Sequence, residues 1–154
     1  MSVIDCIKGN FTDATVVRCS ERGCKLRLSG LGNHVVLKGE RVCKGRRICD
    51  CIIFTRDSYV IIGIVELKSK TIHSGEVVEK LTNGSEIALA ILKKCSNNTP
   101  LNHKFYHVVL AKRWRNSEYV IITKRGKISV AGQKLPILLK RCGVSFSMLI
   151  STLK

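Results

Sequence analysis

Acidic residues are scarce in this chain. Its 154 residues carry 11 Asp and Glu against 27 Lys and Arg, a formal net charge of +16 at pH 7. The shortage is lopsided: residues 1–77 hold 13 basic and 8 acidic side chains, residues 78–154 hold 14 and 3, and beyond Glu86 the only acid is Glu118. Solubility needs charge but not charge of one sign, so the excess points to polyanionic partners, nucleic acid first and an anionic membrane second. Long apolar runs are also missing. The longest, 60–65 and 87–92, fall far short of the roughly 18 residues of a membrane span. Asp5 and Lys8 interrupt what would be a signal-peptide core. The expectation is a soluble, intracellular (cytoplasmic) protein with no membrane partner.

No pair of cysteines has the CxxC spacing that nucleates a zinc ribbon. Cys19, Cys24 and Cys43 sharing a zinc is the weaker alternative. In a reducing cytosol the eight cysteines read mostly as small core residues, with disulfides expected only in a chain from a hyperthermophile. Repeats and low-complexity segments are absent. A 45% hydrophobic and 25% charged composition is globular and sets aside disorder, and the length suits one domain over 1–154.

Strand signals dominate the first half. Ala14 to Cys19, Lys25 to Leu28 and His34 to Leu37 read as a small antiparallel meander, and few helical signals precede Asp50. Ile48 to Thr55 and Tyr59 to Lys68 flank the turn residues Arg56-Asp57-Ser58 and read as a hairpin. Its second arm is apolar on both faces, as a covered central strand is. Gly75 to Lys94 changes to helical spacing, with Ser74 as N-cap and Asn83-Gly84 able to split it in two. Strands follow at Phe105 to Lys112, Tyr119 to Thr123 and Ile128 to Val130, the last two joined by a hairpin-like turn at Lys124-Arg125-Gly126. Leu135 to Leu139 reads as an edge strand tolerating Pro136, and Ser145 to Leu153 as a terminal helix. The fold class expected is α/β (α+β), one mixed central β-sheet flanked by helices.

The chemistry concentrates in the hairpin. Side chains alternate along a strand, so Glu66 and Lys68 share a face, roughly 6.7 Å apart. With the turn centred near Asp57 or Ser58, cross-strand partners have numbers summing to about 114–116, and an even sum puts Asp50 on the Glu66 face. Cys49 and Cys51 would then point to the opposite side as packing residues. Two carboxylates and an ammonium suit a hard divalent cation that draws its remaining ligands from water and a substrate phosphate. Lys68 would position the attacking water or stabilise transition-state charge.

Asp50, fifteen intervening residues, then Glu66-Leu67-Lys68 after a β-branched strand resembles the PD-(D/E)XK nuclease superfamily, the restriction-endonuclease-like fold. The likeness spans about residues 46–92. Cys49 stands where the motif's name has proline. The resemblance implies a metal-dependent endonuclease with Asp50, Glu66 and Lys68 catalytic, Mg²⁺ or Mn²⁺ as cofactor, and hydrolysis of DNA, less often RNA. It also implies a homodimer where both strands of a duplex are cut. It asks for an upstream acid, for which Glu40 is the nearest candidate metal ligand and Glu21 another, and for a polar group on the following helix, Glu79 or Lys80. The rival expectation is a non-catalytic nucleic-acid-binding or regulatory protein on the same fold.

Softer signals mark a nucleic-acid surface. Lys44, Arg46 and Arg47 precede Asp50; Lys112-Arg113-Trp114-Arg115 sets an aromatic among cations; Lys124, Arg125 and Lys127 form a basic tip. Of the four histidines only His73, five residues after Lys68, merits a functional test.

Overall fold

A computed structural model describes residues 2–68 and 74–152; His73 lies outside them. Helix α1, Val3–Asn10, opens the chain. Strands β1 (Thr15–Val16), β2 (Cys19–Glu21), β3 (Cys24–Leu26) and β4 (His34–Lys38) follow, then a single turn of helix, α2 (Gly39–Val42). The hairpin strands are β5 (Cys51–Arg56) and β6 (Val60–Lys68), followed by α3 (Ser74–Cys95) and β7 (His103–Ala111). Helix α4 (Asn116–Arg125), β8 (Lys127–Val130), β9 (Gln133–Arg141) and α5 (Phe146–Thr152) complete the order. Seven strands form one mixed sheet in the order β1-β4-β5-β6-β7-β9-β8, with β6 parallel to β7 and β7 parallel to β9. The other pairs are antiparallel. Among the described residues no helix is long and apolar enough to cross a membrane.

This is the mixed α+β sheet with flanking helices that the sequence pattern implies, and β6 is its central strand. Strand alternation divides the core. Ile52, Phe54, Ile62 and Ile64 pack on one face with Ile4 and Ile7 of α1 and Leu81 and Ala88 of α3. Ile53, Ile61, Val65 and Leu67 pack on the other with Leu26 and with Phe146 and Leu149 of α5. Gly63 makes room there: a Cβ on it would stand 2.7 Å from the Phe146 ring.

Several local expectations are corrected. The first strands do not form a meander. Strand β1 pairs with β4 inside the main sheet, whereas β2 and β3 form a separate two-stranded ribbon. Helix α1 was signalled by Ser2, whose side chain accepts from the Asp5 backbone N–H, and by Val3, Ile4 and Ile7 at helical spacing. Asn83-Gly84 does not split α3. Gly84 is there because the helix runs close to the sheet, where a Cβ would meet the Cys49 Sγ at 2.5 Å and Ile64 Cγ2 at 3.1 Å.

Tyr119 to Thr123 is helical, not a strand. Only Ile122 of that run is buried, while Tyr119, Val120 and Ile121 stay exposed, and the position beside β7 is taken by β9. Its β-propensity yields to tertiary context. Lys124 and Arg125 therefore close a helix and are not a β-turn tip. Strand β9 is internal. Pro136 is tolerated because it pairs only with Lys127 of β8, the pairing to β7 beginning at Ile137.

The cysteines differ most from expectation. Cys6–Cys95, Cys19–Cys51 and Cys24–Cys142 are disulfides, leaving Cys43 and Cys49 free. The pairs tie α1 to α3 and both ribbon strands to the rest of the chain.

One buried polar pair carries a pH signature. Ser85 donates its hydroxyl hydrogen to the Leu81 carbonyl at 2.8 Å and lies 2.7 Å from His107 Nε2, so Nε2 carries the ring proton and donates to Ser85. Nδ1 is left buried and without a partner among the described residues, against Phe105 stacked at 5.5 Å. A second N–H would have no acceptor, and burial holds His107 down at about 4. The unfolded chain, with an ordinary value of 6.5, takes up this proton first as pH falls. His107 thus costs nothing above pH 6.5 and progressively destabilises the fold down to pH 4, by up to about 3 kcal/mol. The difference in urea stability between wild type and His107→Leu is expected to move in the variant's favour by that amount from pH 7.5 to pH 4; a pH-independent difference would contradict this.

Candidate metal centre

The β5–β6 register fixes the centre. Cys51 pairs with Val65, so the even sum of 116 holds to the end of β5, and Asp50, in the bend just before that strand, reaches the end of β6 beside Glu66. The Leu67 backbone N–H donates to Asp50 Oδ2 at 2.7 Å and orients that carboxylate. Glu66, two residues from the end of β6, is 1% exposed. Its Oε2 lies 3.2 Å from both the Lys68 and the Lys80 ammonium. Both lysines form ion pairs with that oxygen, and the Asp50 carboxyl faces the same carboxylate closely enough to share a hydrogen bond with it.

These groups line a cavity of about 360 Å³. Its other walls are Glu21 and Arg22 from the ribbon, Lys38 and Glu40 from the end of β4 and α2, and Ile48 and Cys49. Lys38 Nζ lies 3.4 Å from Glu40 and 3.9 Å from Glu21. Partial burial opposes charge on Lys80, but Glu66 and Glu76 outweigh it and raise its pKa. Burial, and then the facing Glu66 carboxylate, push Asp50 up to about 7, against the Leu67 hydrogen bond that favours its charge. Burial pushes the Cys49 thiol up as well, which keeps it protonated and inert.

The sequence-derived set divides accordingly. Asp50, Glu66 and Lys68 come together, and Glu40 borders the same cavity, although it is largely exposed and held by Lys38. Of the helix candidates, Lys80 reaches the cavity and Glu79 pairs with Arg47 at 3.8 Å. Cys51 faces the ribbon as expected. Cys49 does not: it packs toward α3, because Asp50 sits in a bend before β5 and strand alternation has not yet begun. Arg46 is engaged with Glu86 at 2.8 Å and Asn83 at 2.7 Å, so with Arg47 it fastens the segment before Asp50 to α3. Lys44, Lys112, Arg113, Arg115, Lys124 and Lys127 are exposed and outside the cavity, and Arg125 ends α4. Trp114 is half-buried, donates from Nε1 to the Lys140 carbonyl at 2.8 Å and meets Tyr119 edge-on, a packing role. Lys38 and Arg22 were missed; no local motif marks either.

Among the described residues no three Asp, Glu, His or Cys side chains are close enough together to hold a metal alone. The two carboxylates nevertheless fit a hard dication. Glu66 is buried, Asp50 faces it with its pKa raised to about 7 by burial and then by the Glu66 charge, and one divalent charge would relieve both together. Binding must then displace the Asp50 proton. Calorimetry with Mn²⁺ in buffers of different ionisation enthalpy is expected to show close to one proton released per ion at pH 6, little at pH 8.5, and affinity rising with pH through about 7. Asp50→Asn should abolish the release; release unchanged in that variant would contradict the assignment.

No protein-family model, curated protein or solved structure matches the chain. The functional reading rests on the side chains themselves.

Proposed function

We propose that the protein is a metal-dependent endonuclease hydrolysing phosphodiester bonds of nucleic acid, with DNA as the substrate. The observation that carries the reading is the meeting of Asp50, the buried Glu66 and Lys68 in one open cavity that Arg22, Lys38 and Lys80 also line. Mg²⁺ or Mn²⁺, when bound, would neutralise the scissile phosphate and acidify a water. Asp50 and Glu66 are the residues that would hold it. Leu67 fixes Asp50 through its backbone N–H, and Lys80 forms an ion pair with Glu66 at 3.2 Å. Lys68 Nζ, on the same strand face, is within reach of an attacking water or a transition-state oxygen.

A second reading has its own support. Two ammonium groups already neutralise Glu66, and a centre balanced in this way also suits a nucleic-acid-binding protein that does not cut. Incubating the protein with circular and linear DNA and with RNA, in Mg²⁺, Mn²⁺ or chelator, separates the two. Metal-dependent cleavage supports the enzyme. Binding with no cleavage under either metal supports the second reading.

A further inference from the structure

The β2–β3 ribbon stands apart from the main sheet and reaches the cavity at Glu21 and Arg22. Register places Cys19 opposite Leu26 and Glu21 opposite Cys24, and Cys19, Cys24 and Leu26 are buried against the sheet. Alternation turns Ser20 and its partner Lys25 to the other side, together with the flanking Arg18 and Arg27. Arg22, at the turn, borders the cavity, and the Lys112 ammonium lies against Gly23 beside it. Five cations thus run from the ribbon's outer face to the cavity mouth. Arg18, Arg22 and Lys25 are exposed, and none has an ion-pair or hydrogen-bond partner among the described residues. Arg27 differs: its Nε donates to the Gly143 carbonyl at 2.6 Å.

An isolated ribbon of two three-residue strands is not stable in water. Here it is fastened at both strands, Cys19 to Cys51 next to Asp50 and Cys24 to Cys142 beyond β9. Such fastening holds unpaired cations in a fixed row about 10 Å long with little ordering left to lose on binding. We propose that this row is a docking surface for duplex DNA that leads its phosphodiester backbone to the Asp50–Glu66 cavity. The row's charge complements only a polyanion, and a two-stranded ribbon fits the major groove of B-form DNA, whereas A-form RNA closes that groove to side chains. The inference rests on the nuclease reading for the cleavage after docking, but not for docking itself.

Binding is measured in EDTA, where cleavage plays no part, with a fluorescent 20-base-pair DNA duplex and an RNA duplex of the same sequence over a range of salt. Arg18→Ala/Arg22→Ala/Lys25→Ala is expected to lower DNA affinity about tenfold or more at low salt. It should also flatten the log–log salt dependence by about 2–3, near 0.9 for each phosphate that is no longer neutralised. A control removing the same charge elsewhere, Arg56→Ala/Lys93→Ala/Lys134→Ala, should change the slope by less than about 1. All six side chains are exposed, so melting temperatures should match wild type. An unchanged slope in the ribbon variant, equal losses in ribbon variant and control, or ribbon-dependent binding of RNA alone would each overturn the proposal. Cleavage by wild type in Mn²⁺ is scored separately: ribbon-dependent binding without cleavage sinks the nuclease reading and leaves the docking surface standing, and cleavage indifferent to the ribbon does the reverse.

Discussion

Glu66→Gln is expected to reduce metal-dependent cleavage by at least about 10³-fold without loss of stability. The substitution keeps the side chain's shape and removes its charge, so on the proposed reading a dication would lose its most buried ligand while packing is untouched. Lys68→Ala should cost less, about 10²–10³-fold, the range seen when a single group stabilising transition-state charge is deleted. The stability side of the prediction is the more diagnostic. Glu66 is 1% exposed, so desolvation of its carboxylate opposes the gain from its two ion pairs. Lys68 and Lys80 keep about a fifth of their side-chain surface in water and can be solvated without it. The Glu66→Gln variant should therefore melt at or above the wild-type temperature, the signature of a residue kept for function at the expense of the fold. Plasmid cleavage in Mn²⁺ alongside calorimetric melting tests both halves; a variant that cleaves normally, or one that is strongly destabilised, would show Glu66 to be structural.

Reducing the disulfides should have the largest effect on stability. The three bridges join residues separated by 89, 32 and 118 positions, and closing loops of that size stabilises a fold by about 2–4 kcal/mol each. Small domains are stable by only about 5–15 kcal/mol in total, so full reduction removes much of the margin. Cys24→Ser/Cys142→Ser and Cys6→Ser/Cys95→Ser should each lower the melting temperature by about 5–15 °C. Cys43→Ser, at a free and half-buried thiol, should change it by a degree or two. Thiol titration of the unreduced, denatured chain should find two groups, Cys43 and Cys49. Eight titrating thiols, with melting indifferent to reductant, would contradict the pairing.

The hairpin was legible because it is local. Alternation, a three-residue turn and an even register sum sufficed to place Asp50 beside Glu66, and β6 declared itself central by being apolar on both faces. The remainder of the centre was not, because it is assembled from distant segments. Lys80 comes from a helix, Lys38 from the end of β4 and Arg22 from a ribbon whose place is set by two disulfides. Cysteine count and spacing cannot reveal pairing partners, so the reduced-core expectation failed where long-range geometry decides. The run from Tyr119 to Thr123 failed for a related reason: β-branched composition describes a strand, but a strand needs a neighbour, and β9 already occupied the place beside β7. Basic residues were readable as charge but not as partners. Arg46 and Arg47, close to Asp50 in sequence, turn out to be engaged by α3, while cations without partners lie on the ribbon.

Anomalous diffraction from crystals grown near pH 8, where Asp50 is ionised, and soaked in Mn²⁺ tests the central claim most directly. Mn²⁺ held by Asp50 and Glu66 would give a single strong peak at these two carboxylates, present in wild type and lost in Glu66→Gln. No peak at saturating Mn²⁺, with Glu66 still held between Lys68 and Lys80 and the Asp50 carboxylate turned away from it, would contradict it.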